Sequence, residues 1–271
     1  MGKVFDQEVD LTYLEWTKTR HSSGTAGSFL KAYEQKDNKK IYYKLSNYDV
    51  VNGIVGHECI NEIIVDRLLA YMNIEHLEYD LINAKIMIRN KCYQTYLCRS
   101  YDFKKIGESK IALDAFYDMQ HIDDETPIEF CERMGWSEYI DGMLVIDYLI
   151  MNRDRHGANI EIIKNRMNRT YYPAPLFDHG LSLLCSCRKD EECIKVNPLE
   201  EKKVQCFVGG NNTLENLNLI LNPDKVHMPK FTDDLRKLLF DGLDGVVSQV
   251  WMDCVWEFMV KRAKQYEDIC N

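Results

Sequence analysis

The chain has 271 residues, of which 45% are hydrophobic and 28% charged, with a net charge of -9. That length supports one folded unit of two lobes with a good core, and the acidic balance argues against a direct nucleic-acid surface or tight binding to anionic lipid, since both require basic patches. No apolar run approaches a membrane span, and the start Met1-Gly2-Lys3-Val4-Phe5-Asp6-Gln7-Glu8 lacks the apolar core of a signal peptide, so the expectation is a cytoplasmic protein without a membrane partner.

In chain order, the first informative segment is Ser22-Ser23-Gly24-Thr25-Ala26-Gly27-Ser28. It is small, flexible and rich in backbone donors, so amides at Gly24, Thr25 and Gly27 could approach phosphate oxygens closely. Residues 29–33 and 41–45 read as strands around a polar turn at 35–40, a β-hairpin with Lys44 on its second strand. A lysine in that place can pair with nucleotide phosphates; Lys31 lies on the loop strand, and Lys39 and Lys40 fall in the turn. Residues 56–72 carry Ile60, Ile64, Leu68 and Met72 along one stripe, which predicts an amphipathic helix. Glu58 and Glu62 lie one turn apart on it, and Glu62 is the preferred acid to hold Lys44 in place.

Residues 79–89 and 93–99 read as two further strands separated by Asn90-Lys91-Cys92. The second runs into Leu97-Cys98-Arg99-Ser100-Tyr101-Asp102-Phe103, a crossing from a β-rich part, residues 1–103, into a helical part, residues 104–271. A nucleotide base can pair with backbone groups at such a crossing, which makes Arg99 and Tyr101 cofactor-binding candidates.

Beyond Phe103 the pattern turns helical, with apolar faces at 127–134 and 136–151 that deliver a rigid element to Asp154-Arg155-His156-Gly157-Ala158-Asn159. Here the spacing suits phosphoryl transfer, in which positioning and electrostatics do most of the catalysis. Asp154 would accept the proton of an attacking hydroxyl. Asn159 would hold a divalent cation through a neutral oxygen that adds no repulsion beside the base, and Asp178 would hold Mg²⁺ against the phosphates of ATP. Residues 159–163 and 171–174 flank a polar stretch and predict a hairpin that brings Asn159 and Asp178 together. His156 is expected to brace the catalytic loop and His179 to pack or bond locally.

Residues 186–212, charged and glycine-containing, follow Asp178 as an activation or substrate loop or as a solvated connection. Helices are expected at 232–240 and 243–264, with Trp251 and Trp256 packing the lobe. Cys185, Cys187, Cys193 and Cys206 cluster without the paired knuckles of a zinc site, and the other cysteines are expected to be small reduced hydrophobes.

Gly24-Thr25-Ala26-Gly27, Lys44, Asn61-Glu62, Arg99-Ser100-Tyr101-Asp102, the run from Asp147-Tyr148-Leu149 through Asp154-Arg155-His156 to Asn159, and Ala174-Pro175-Leu176-Phe177-Asp178 together resemble the HipA-like serine/threonine kinases, in that order, over residues 22–184. The resemblance implies an α+β, two-lobed kinase fold and ATP- and Mg²⁺-dependent phosphorylation of a protein substrate on serine or threonine. It implies Asp154 as base, Asn159 and Asp178 as metal ligands and Lys44 on the phosphates. Several members act as toxins in bacterial growth control, which implies a possible antitoxin partner; DNA contacts would then come from the partner.

Two departures stand out. About twenty residues precede the glycine loop, where the family usually carries an extra N-terminal subdomain, so this looks like a minimal form. Asp178-His179-Gly180 is closer to the Asp-x-Gly of other kinases. Members can autophosphorylate a serine in the glycine loop, where Ser22, Ser23, Thr25 and Ser28 are candidates. Two alternatives stay open from the sequence: a phosphoinositide-type lipid kinase, and a nucleotide-binding pseudokinase that docks a partner.

Overall fold

A computed structural model describes residues 1–19, 26–37 and 39–270. The N-terminal part is organised by one sheet built from β1 (Val4–Asp10), β2 (Thr17–Thr19), β3 (Ala26–Lys36), β4 (Lys39–Lys44) and, past the short pair β5 (Tyr48–Asp49) and β6 (Gly53–Ile54) and the helix α1 (Glu58–Tyr71), by β7 (Asp80–Ile88) and β8 (Lys91–Tyr101). The order across the sheet is β1-β7-β8-β4-β3-β2, with β1 parallel to β7 and the other pairs antiparallel. Local chemistry explains the β7–β8 hairpin. Arg89 and Asn90 both take positive φ, 50° and 62°, the two-residue turn whose twist matches that of paired strands.

Three sequence expectations change here. Residues 35–36 and 39–40 belong to strands, with Lys36 facing Lys39, so the turn is shorter than 35–40 and Lys40 sits on β4. Strands β1 and β2 were not foreseen, because an edge strand as polar as Val-Phe-Asp-Gln-Glu-Val-Asp shows no apolar alternation. Helix α1 is buried on every face rather than amphipathic, since it lies between the sheet and the helical part, against β8 and α7 (Asp233–Phe240). Its buried Arg67 therefore donates to the carbonyl oxygens of Leu239 and Asp241, at 2.9 and 2.8 Å.

Beyond Phe103 the structure adds a strand that the helical pattern did not indicate. Strand β9 (Glu108–Ala112) precedes α2 (Leu113–Gln120), α3 (Pro127–Arg133) and α4 (Ser137–Ile150). It pairs with β11 (Glu161–Asn165), which forms the expected hairpin with β12 (Thr170–Pro173). Between α4 and β11, β10 (Asp154–Arg155) pairs in parallel with β13 (Gln205–Cys206), which follows the short helix α5 (Asp190–Cys193).

Helix α6 (Thr213–Asn216) follows, and α8 (Gln249–Cys270) closes the chain. Helix α8 starts later than residue 243 because Gly242 and Gly245 take φ of 69° and 81° in the preceding turns. Trp251 of α8 is buried, and its Arg262 ties the segment before α6 to α4 by donating to Tyr148 O (2.7 Å), Pro198 O (3.1 Å) and Glu201 Oε1 (2.8 Å). Among the described residues no helix is long and apolar enough to cross a membrane.

Candidate active site

One face of the sheet roofs a cavity of about 250 Å³. Strand alternation dictates which side chains line it: Lys31 pairs with Lys44 and Lys44 with Cys98, while Tyr33 pairs with Tyr42 and Tyr42 with Ser100, so these residues share the cavity face. Phe103, Phe177 and Asp178 complete the lining from the crossing and from the loop after β12. At the far end from Lys44, Lys40 lies over the rings of Tyr33 and Tyr42 at 4.2 and 4.9 Å, and Lys110 pairs with Glu161 at 2.8 Å.

Lys44 is the hub of the site. Its ammonium donates to Glu62 Oε1 at 2.6 Å and to Asp178 Oδ1, and Lys31 stands 3.8 Å from Asp178 Oδ2. Burial works against the charge on Lys44, but the carboxylates of Asp178 and Glu62 outweigh it and hold the ammonium well above the ordinary lysine range. It is therefore a fixed cation in a chain whose net charge is -9.

Asp178 is presented by a backbone turn rather than by a strand. Its φ of 60° is left-handed, a conformation that Asp tolerates better than most side chains. The turn is clamped to α1 on both sides. The His179 N–H donates to Glu62 Oε2 at 2.8 Å, and the buried Asn61 amide donates to Gly180 O and Ser182 O at 3.0 and 2.8 Å. A Cβ on Gly180 would stand 3.1 Å from Glu58 O and 3.2 Å from Glu62 Oε1, so glycine permits this close approach. His179 is buried in the turn. Burial first, and then the Arg155 charge, push its imidazole well below the usual histidine range, so it packs here as a neutral ring.

The second loop leaves α4 through Met151, whose φ of 48° ends the helix in a left-handed cap. Alternation in β10 then sends Asp154 and Arg155 to opposite sides. Asn159 donates its amide to Asp154 O and Oδ2, at 2.8 and 3.4 Å, and His156 Nε2 lies 3.5 Å from Asp154 Oδ1. Arg155 turns inward to a bidentate pair with Asp147, at 2.7 and 2.8 Å, and also donates to Asn159 O (3.2 Å) and Phe177 O (3.0 Å). One guanidinium thus joins the helix, the Asp154 loop and the residue preceding Asp178.

Lys44 is in contact with both Glu62 and Asp178, while Asp154 and Asn159 stand on the adjoining loop and do not line the cavity itself. Tyr101 contributes to the lining. Alternation turns the Arg99 side chain to the face of β8 opposite Cys98 and Ser100, where it pairs with Asp80 at 2.7 Å and lies over the rings of Phe5 and Tyr101. Gly24 and Thr25 lie outside the described residues, as do Ser22 and Ser23; Gly27 belongs to the start of β3.

Sequence reasoning gave no individual role to Asn61, Asp147 or Arg155. The available signal was an Asp set in the apolar run Val145-Ile146-Asp147-Tyr148-Leu149-Ile150, because a carboxylate so placed must find a partner. Among the described residues no three or more His, Cys, Asp or Glu side chains are grouped so as to hold a metal ion by themselves.

No family model matches the chain, and no curated protein matches it in sequence. Its fold is similar to that of the Helicobacter pylori proinflammatory kinase CtkA, at a TM-score of 0.65 and 16% identity, covering 95% of this chain and 94% of that one. A second structure, the HipA, HipB and operator DNA complex of Shewanella oneidensis MR-1, aligns with a TM-score of 0.44 and 10% identity over 90% of this chain and 65% of that one. The first likeness shows the fold: mixed α+β, with a sheet-rich N-terminal part and a helical C-terminal part, as in that kinase.

Proposed function

We propose that the chain is a protein kinase, transferring the terminal phosphoryl group of ATP to a serine or threonine hydroxyl of another protein. The observation that carries this reading is the contact of Lys44 with both Glu62 and Asp178 at the wall of a cavity, beside the Asp154–Asn159 loop to which Arg155 ties it. The aromatic lining, Tyr42, Phe103 and Phe177, suits a nucleotide base, and Lys44 and Lys31 suit the phosphates.

Asp154 would accept the proton of the acceptor hydroxyl as its oxygen bonds to phosphorus and ADP leaves. Asn159, already bonded to Asp154, would keep that carboxylate oriented.

The donor set fits Mg²⁺. One carboxylate, Asp178, and one carboxamide, Asn159, are what such an ion takes from a protein when phosphates and water fill its other positions. Bound there, Mg²⁺ would neutralise phosphate charge. A role in growth control, with a partner protein that restrains the kinase, extends the proposal on the motif resemblance.

Incubating the purified wild type and Asp178→Ala with γ-labelled ATP, Mg²⁺ and a cell lysate tests the reading. Wild type is expected to label protein serine or threonine. Asp178→Ala should lose labelling, and its Mg²⁺-dependent ATP affinity in calorimetry should fall by about tenfold or more. ATP binding by wild type without any protein labelling would overturn the assignment.

A further inference from the structure

Two cysteines meet directly behind Lys44. Cys59 lies in the first turn of α1, three residues before Glu62, and Cys98 is the cross-strand partner of Lys44 on β8. Hydrogen bonds bring them together: Cys98 Sγ donates to Cys59 O at 3.1 Å, Cys59 Sγ donates to Lys44 O at 3.1 Å, and the Cys59 N–H donates to Ser46 Oγ at 3.0 Å. Each thiol also perturbs the ionisation of the other. Both are reduced, and both are 1% exposed, yet Cys98 forms part of the cavity wall. A small oxidant in the cavity would therefore meet one thiol with a second immediately behind it.

We propose that Cys59 and Cys98 are a paired oxidation site: a hydroperoxide entering through the cavity links them in a reversible disulfide, and the bond weakens nucleotide binding by displacing Glu62 relative to Lys44. The switching half rests on the nucleotide reading given above; formation of the bond does not.

The chemistry balances. Cys98 sulfur attacks one peroxide oxygen; an S–O bond forms, the O–O bond breaks, and the leaving oxygen takes the thiol proton as water or an alcohol. Cys59 sulfur then attacks Cys98 sulfur; the S–S bond forms, the S–O bond breaks, and hydroxide leaves as water with the Cys59 proton. Two thiols lose two electrons and one peroxide gains them.

Burial pushes the Cys98 thiol well up, which makes the first attack the slow step. Burial opposes ionisation of Cys59 too, but hydrogen bonds with Cys98 and Ser46 and the Lys44 charge outweigh it and lower that thiol, suiting it to the second attack. A disulfide holds its sulfurs about 2.05 Å apart, closer than two unbonded thiols can pack. Closing that gap draws the first turn of α1 toward β8, and Glu62, one turn on, moves with it.

The test treats the full chain with hydrogen peroxide, with and without ATP and Mg²⁺, alkylates the remaining thiols and maps tryptic peptides. The expected product joins peptides 45–67 and 92–99, with fragmentation placing the link at Cys98 rather than Cys92. It should disappear with dithiothreitol, fall several-fold when ATP fills the cavity, and be absent from Cys59→Ser, whose hydroxyl can still donate to Lys44 O. Oxidised wild type should bind ATP at least about tenfold more weakly than reduced protein and recover on reduction.

Cys59 found alkylated after treatment, or a link through Cys92, would overturn the pair. Equal ATP affinity before and after linkage would overturn the switch. If reduced protein binds no ATP while the link still forms, it is the nucleotide reading that fails, and the switch with it. The wild-type peptide map decides the bond even if Cys59→Ser does not fold.

Discussion

Asp154→Asn is expected to lower phosphoryl transfer by about a hundred- to ten-thousand-fold, the range over which a positioned proton acceptor contributes to such reactions. The side chain keeps its size, so the loop around it should persist. Its backbone oxygen still accepts from Asn159 at 2.8 Å, and β10 still pairs with β13.

What is lost is the carboxylate, because a carboxamide does not take a proton at neutral pH. Asp154 does not line the cavity, so ATP affinity should stay unchanged while the chemical step collapses. Single-turnover transfer to protein, measured beside calorimetric ATP binding, separates the two quantities. Wild-type-like turnover would remove Asp154 from the base role, and an equal loss of binding would show that it acts through nucleotide placement.

How much of this was legible in the sequence depends on whether the information was local. The hairpin carrying Lys44, the strands around Asn90, and the long helices before Asp154 and at the C-terminus all announce themselves through alternation or helical spacing, and the structure contains them. Polar edge strands do not. Strand β1 draws its order from pairing with β7, and β9 from pairing with β11, so neither carries a pattern of its own.

Helix α1 failed differently. Its apolar stripe was real, but Asp66 on the other face and Arg67 at the edge of the stripe are buried too, because they meet groups distant in sequence, Tyr79 N–H for Asp66 and the end of α7 for Arg67. The same limit applies to the site. Lys44, Glu62 and Asp178 could be nominated by type and order, but the Arg155 link from Asp147 to Phe177 crosses three segments and appears only when they are folded together. Side-chain direction was not legible at Arg99 either, because the one-residue alternation of β8, which sends that side chain to the face opposite Cys98 and Ser100, depends on the register of the pairing with β4 and β7.

The Asp147–Arg155 pair is where a single substitution should cost the fold most. Asp147 accepts from Arg155 Nε and Nη2 and from Asn152 Nδ2 at 2.9 Å, and the guanidinium is 1% exposed. Asp147→Ala leaves that cation buried with only carbonyl partners. The expected loss is about 3–5 kcal/mol, the usual result of removing one member of a buried pair.

Replacing Lys261, whose pair with Glu257 is half-exposed on α8, should cost no more than about 1 kcal/mol by comparison. Urea unfolding of both variants beside wild type gives the contrast directly. Asp147→Ala combined with Arg155→Met should recover much of the stability lost by Asp147→Ala, since the stranded charge is gone and only an apolar stem remains. It should not recover transfer activity, because the guanidinium that ties the Asp154 loop to Phe177 is also gone. Recovery of both would mean that Arg155 merely fills space. Recovery of neither would mean that its bonds to Asn159 O and Phe177 O, rather than its charge balance, hold the two loops in place.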